Sequence, residues 1–249
     1  IIDASRMVVY PGLINSHHHL YQTFTRNLPQ VQNMELFPWL KTLYEIWKGI
    51  DGDSVYYSSL TGMGELLKTG CTTCLDHHYV FPEHSAGALL DAQFAAADAL
   101  GIRMAATRGS MDLSVKDGGL PPDSVVQTID EILRDSQAVV EKYHDSSRYS
   151  MHTVALAPCS PFSVTGGLLR ESAVLARSLE SASIRTWRRR RTRRRSPWSI
   201  TACVRWPIWR AWDGSETMSG MLMESILTQR NWNFWQRRGL EWPTALSPT

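Results

Sequence analysis

The 249-residue chain lacks any apolar run approaching 18 residues and shows no secretory leader pattern, so no segment is expected to span or target a membrane. Cysteine is scarce: Cys71, Cys74, Cys159 and Cys203 are too few for a disulfide-stapled scaffold and suit a reducing, cytoplasmic setting. Cys71-x-x-Cys74 has redox spacing, but a dithiol centre needs a thioredoxin-like βαβ context and activated thiols. Two small residues packing near a strand is the simpler reading. No Gly-rich phosphate turn follows Asn15, which counts against a doubly wound nucleotide-binding sheet. Lysine is absent from residues 180–249, although that stretch carries 13 arginines.

Before residue 180 the chain alternates. Met7 to Asn15 mixes β-branched and aromatic residues and predicts a strand. Asn33 to Trp47 and Ser54 to Leu67 are helix-like, with Leu36, Leu40, Leu43, Tyr44 and Trp47 at three- and four-residue steps. Strands are expected at Thr72–Leu75, Ile102–Ala106 and Thr153–Ala157, and helices at Ala86–Leu100, Asp123–Tyr143 and Thr165–Leu179. Gly109, Gly118, Gly119, Pro121 and Pro122 mark a long turn-rich loop. Four repeats of strand and helix argue for a parallel α/β architecture. Reactive residues follow each strand: His17–His19, Asp76–Tyr79, Thr107-Arg108 and Cys159-Ser160. A (β/α)₈ barrel collects such positions at one mouth, where active sites are assembled.

His17 and His19 carry the most chemistry. On a strand, side chains at i and i+2 share a side, so both imidazoles can reach one metal ion. Such a site needs further ligands, and none is evident elsewhere in the chain as written.

The run Pro11-Gly12-Leu13-Ile14-Asn15-Ser16-His17-His18-His19 resembles the first-strand motif of the amidohydrolase superfamily. Together with Asp76-His77-His78-Tyr79-Val80-Phe81-Pro82, Thr107-Arg108-Gly109-Ser110-Met111 and Ala157-Pro158-Cys159-Ser160-Pro161-Phe162, it is similar to the 8-oxoguanine deaminase and hydroxy-triazine aminohydrolase branch over residues 1–179. That resemblance implies a TIM-type metal-dependent hydrolase barrel, truncated to about its first half. It also implies that a β-sandwich segment found upstream in the family is absent. His17 and His19 would be metal ligands, with zinc as the metal and iron the alternative. Gln22 would hydrogen-bond a purine base, Arg108 would face a substrate carbonyl, and Tyr79 and His78 would wall the pocket. The implied partner is a small purine or triazine, with neither nucleic acid nor membrane, and a homo-oligomer stays open for a full-length parent. The implied reaction is hydrolytic deamination: water attacks an amidine carbon, an acid protonates the ring nitrogen, a base takes the water proton, and ammonia leaves. The family's remaining histidines, its acid Glu and its base Asp have no counterpart in frame.

Residues 1–179 carry 13 Lys and Arg against 19 Asp and Glu, whereas 180–249 carry 13 Arg against 5 acids and eight of the ten Trp. Arg185 to Arg195 holds eight arginines in eleven residues. One reading is a nucleic-acid-binding tail, in which arginines neutralise phosphates and aromatics stack bases. A non-enzymatic domain with structural histidines is a further alternative. The tail is better explained by a frameshift, because a GC-rich gene read out of phase yields Arg and Trp codons. Reading Ile184 to Arg189 one base earlier recovers His-Pro-His-Met-Ala-Glu, the family phrase after the fifth strand. Met218 to Ile226 with the next residues becomes Val-Trp-Tyr-Ala-His-Gly-Ile-His, and Glu241 to Thr249 becomes Val-Ala-His-Cys-Pro-Val-Ser-Asn. The single codons of Trp187, Met218, Met221, Met223 and Trp242 limit the freedom of that translation. The expected organisation is therefore the amino-terminal half of a barrel at 1–179 and an out-of-frame tail at 180–249, unstable and inactive as written.

Overall fold

The computed structural model describes residues 2–82, 85 and 88–183. From residue 184 onward the expected out-of-frame tail lies outside the described residues. Among the described residues, five strands form one parallel sheet: β1 (Leu13–His18), β2 (Cys71–Asp76), β3 (Arg103–Ser110), β4 (His152–Pro158) and the two-residue β5 (Ala182–Ser183). Their spatial order is β1-β2-β3-β4-β5, so each strand lies beside its predecessor. A doubly wound sheet reverses direction at a switch point. Among the described residues there is none, which is the winding of a barrel wall.

The helices are α1 (Leu36–Trp47), α2 (Gly52–Lys68), α3 (Ala88–Leu100), α4 (Ile129–Tyr143) and α5 (Gly166–Ser178). Their starts follow local chemistry. Asp51 caps α2 by accepting from the Ser54 amide, and Thr165 caps α5 by accepting from the Leu168 amide. The expected helix from Asp123 begins later, at Ile129. There Thr128 and Glu131 form a reciprocal capping box, while Asp123–Val125 makes only a 3₁₀ turn.

The first strand also differs from expectation. Pairing starts at Leu13 opposite Cys71 and runs into the histidines, reaching His18 opposite Asp76. The third strand extends through Gly109 to Ser110, because the ladder with β4 continues to the pair Ser110–Pro158.

Strand parity organises the interior. Cys74 of β2, Met104 and Ala106 of β3, and Val154 and Leu156 of β4 join residues of α3, α4 and α5 in one buried cluster. These alternating positions face the helix layer. A second cluster gathers at the carboxyl ends of the strands, where Tyr21, Leu43, Tyr44, Trp47, Tyr79, Met111, Cys159 and Leu168 pack together. That cluster supports the candidate site from below.

Candidate metal and substrate site

The register pairs His18 with Asp76, so His17 and His19 fall on the side of the first segment that matches His77 and Tyr79 on the second. The rings meet accordingly. His17 and His19 are 4.9 Å apart between centroids, His19 lies 5.4 Å from His77 and 5.3 Å from Tyr79, and His77 lies 5.2 Å from Tyr79. His19 stands just beyond β1, in front of a 3₁₀ turn at Leu20–Thr25 that carries Gln22.

The end of β2 holds this corner by three hydrogen bonds. The His77 amide donates to the His18 carbonyl (2.8 Å), and the Leu20 amide donates to Asp76 Oδ1 (2.6 Å). His19 Nδ1 lies 2.7 Å from the His77 carbonyl oxygen, which requires the Nδ1–H tautomer. Nε2 of His19 is then the lone-pair nitrogen, the arrangement a metal-binding imidazole needs. Burial pushes the His19 pKa down to about 4, keeping the ring neutral at ordinary pH.

A cavity of about 660 Å³ opens beside these groups, lined by His17, His18, His19, Gln22, Arg26 and Trp39 among others. Gln22 Nε2 reaches both Tyr79 Oη and Tyr21 Oη at 3.3 Å. Its amide therefore sits on a buried phenol pair at the cavity wall. Two imidazoles with one ring locked for coordination fit half of a metal site. Among the described residues no group of three or more His, Cys, Asp or Glu side chains converges to complete it.

Of the expected site residues, His17, His19, Gln22 and Tyr79 come together. Arg108 does not, and its expected role is corrected. Parity puts it in series with Met104 and Ala106, so it points toward the helix layer. Its guanidinium is ion-paired to Asp135, donates to Gln127 Oε1 (2.7 Å) and to the Gly109 carbonyl, and stacks 3.7 Å over the Phe81 ring. A guanidinium engaged on every side and 1 % exposed has no face left for a substrate carbonyl. His78 is also displaced from its expected place in the pocket wall. It is fully buried behind that wall, its Nε2 lies 3.0 Å from the Val80 carbonyl, and its ring packs on Tyr21 and Phe81. Two residues that sequence reasoning passed over belong to the site. His77 shares the parity of Tyr79, and Asp76 anchors the Leu20 amide. The alternation of β2 was the signal that could have found His77; the bond from the Leu20 amide to Asp76 joins residues 56 positions apart and has no local signature.

The buried ionisable groups set a pH dependence. Burial pushes His77 and His78 down to about 3 and raises Asp76 to about 7. The stability contributed by the three neutral histidines is fully present above about pH 6.5 and is lost as pH falls through their folded values. Asp76 acts oppositely, since its raised value costs stability as pH climbs from about 4 to 7. Three groups outweigh one, so the urea midpoint should rise between pH 4.5 and 6.5. The gain should be at least about 1 kcal/mol, the worth of a one-unit shift in one group. A midpoint that falls over this interval would contradict the assignment.

The sequence profile of the amidohydrolase family matches residues 8–182. The chain is 49% identical to 8-oxoguanine deaminase of Pseudomonas aeruginosa over 174 residues, covering 70% of this chain and 38% of that enzyme. It is 37% identical to hydroxydechloroatrazine ethylaminohydrolase of a Pseudomonas species over 181 residues, covering 72% of this chain and 38% of that protein. Among solved structures, atrazine chlorohydrolase from Arthrobacter aurescens complexed with zinc superposes with a TM-score of 0.67. The identity there is 30%, over 70% of this chain and 40% of that one. The aligned part thus spans about two fifths of each of these relatives. No helix among the described residues is long and apolar enough to cross a membrane.

Proposed function

The chain belongs to the amidohydrolase family, and from that premise we propose that its described part carries one side of the active site of a metal-dependent hydrolytic deaminase of oxopurine-type bases. One observation carries the proposal. His17 and His19 lie 4.9 Å apart beside Gln22 in a single cavity, with His19 Nδ1 held on the His77 carbonyl. His17 and His19 would hold a divalent metal, zinc by analogy with the solved relative. Bound there, it would supply the Lewis acidity that makes water nucleophilic near neutral pH. The chain's own residues do the rest of the positioning. Gln22 offers a hydrogen-bonding amide to the edge of a flat heterocycle, and Tyr79 backs both Gln22 and His19. Arg108 and His78 belong to the scaffold.

The higher identity to the 8-oxoguanine enzyme favours a purine, and a hydroxy-triazine is the alternative that the second relative supports. We further propose that residues 180–249 are translated out of frame, so that the acid of the reaction is lost from this polypeptide, while the base would be encoded past codon 249 in the recovered frame. Sequencing the gene across the codons for Leu179 and Glu180 tests this directly. A gene with one base restored there, and read on past codon 249 in the recovered frame, should encode a chain that releases ammonia from 8-oxoguanine, while the 249-residue chain should release none. In the restored chain, His17→Ala should lower bound zinc below one equivalent and reduce turnover at least a hundredfold. Ammonia release from the unrestored chain, or zinc binding indifferent to His17→Ala, would defeat the proposal.

A further inference from the structure

Asp76 is wholly buried at the end of β2, yet it neither lines the cavity nor pairs with a cation among its hydrogen-bond partners. Burying a carboxylate is costly unless hydrogen bonds satisfy it. Both oxygens are satisfied here, and by two different parts of the molecule. Oδ1 accepts from the Leu20 amide at 2.6 Å, and Oδ2 accepts from Gln93 Nε2 of α3, also at 2.6 Å. Gln93 is itself fully buried.

The Leu20 amide immediately follows His19. It is the first N–H of the 3₁₀ turn that carries Gln22, and a helical turn cannot satisfy that donor from within. The His19 side chain, as the residue capping this turn, makes no cap hydrogen bond of its own. Asp76 supplies the acceptor from the neighbouring strand. The adjacent His77 then closes the corner from both directions, its amide on the His18 carbonyl and its carbonyl on His19 Nδ1. Glycine at 62 lets α2 approach the same turn, since a Cβ there would lie 2.7 Å from Leu20 and 3.2 Å from Thr23 Oγ1.

We propose that Asp76 and Gln93 are positioning residues for the metal-ligand pair: the carboxylate, steered by α3 through Gln93, fixes where the chain turns after His19 and so sets the direction of its ring. The inference rests on the metal-site reading above. It adds a helix on the outer layer to the parts that govern ligand geometry. Outer partners of this kind typically change metal affinity ten- to a hundredfold when removed.

The test uses the full 249-residue chain, with zinc affinity measured by competition with a fluorescent chelator and amide exchange followed by mass spectrometry. Asp76→Ala should weaken zinc binding at least tenfold and speed exchange in the peptide spanning residues 17–25, while peptides from β4 and α5 stay protected. The conservative Asp76→Asn should recover most of the affinity. Its amide oxygen can still accept from Leu20, and Gln93 Oε1, buried without a partner, can accept from its NH₂ once the Gln93 amide turns over. A purely structural aspartate predicts something else: Asp76→Ala that stays folded and binds zinc within twofold of the parent, which overturns the proposal. Should Asp76→Ala unfold, Gln93→Met decides, because it removes only the bond from α3. A loss of threefold or more in affinity sustains the proposal, and an unchanged affinity overturns it. If the parent chain, which holds only two of the ligands, binds no zinc, the metal-site reading is tested by zinc binding in the frame-restored chain. The positioning claim is then judged on exchange alone, where unchanged protection of residues 17–25 in Asp76→Ala rejects it.

Discussion

Gly109→Ala should destabilise the fold by about 3 kcal/mol, the upper range for overpacking a closed interior. A Cβ at this position would lie 2.2 Å from the His78 carbonyl oxygen and 2.6 Å from Tyr79 Cα. Both are backbone atoms, so no rotamer change relieves the clash. The Gly109 amide also donates to that same carbonyl at 2.8 Å, which ties β3 to the chain just beyond β2. Separating the two segments would move Tyr79 away from Gln22 and His19. The damage should therefore appear twice, as a lower urea midpoint and as weaker zinc binding. Gly64→Ala is the control. Gly64 lies inside α2, and a Cβ there would meet nothing within 4 Å, so alanine should stabilise by about 0.5–1 kcal/mol. Equal effects at the two glycines would mean that β3 does not approach the His78–Tyr79 backbone this closely.

Asp135→Ala should cost roughly 3–5 kcal/mol, because it strands a buried guanidinium. The side chain of Arg108 is 0% exposed and that of Asp135 is 13% exposed. Gln127 and the Gly109 carbonyl can still accept from Arg108, but neither carries a compensating charge. The double variant Arg108→Met with Asp135→Leu should recover most of the loss, since apolar replacement of a buried pair is often neutral. Denaturation of the four proteins of this cycle measures both effects. If the single variant loses less than about 1 kcal/mol, in the range of exposed pairs, then Arg108 is solvated and free to face a substrate.

Much of the fold was legible along the chain. Helix periodicity at Leu36, Leu40, Leu43 and Trp47 and the strand-like runs before His17 and Asp76 anticipated the element order, because amphipathic period and turn chemistry are local properties. Boundaries were less legible. The ladder begins at Leu13 rather than Met7 and β3 continues through Gly109, because a strand ends where its neighbour stops pairing. That depends on residues roughly fifty to sixty positions away in the chain. Arg108 shows the same limit from another side. Its place after a strand suggested a mouth-facing charge, whereas its parity with Met104 and Ala106 sends it among the helices, onto Asp135.

By itself, the amino-acid sequence determined that this protein alternates strands and helices and that two histidines share one side of the first strand. Both follow from spacing, which the backbone converts directly into direction. Only the tertiary structure decided which polar residues meet at the mouth and which lie behind it. Asp76, His77 and His78 are consecutive in sequence, yet one anchors a turn, one faces the ligand pair and one packs against Tyr21 and Phe81. Their roles separate because successive strand positions face opposite layers, and the chemistry of each layer is set by elements far away in the chain.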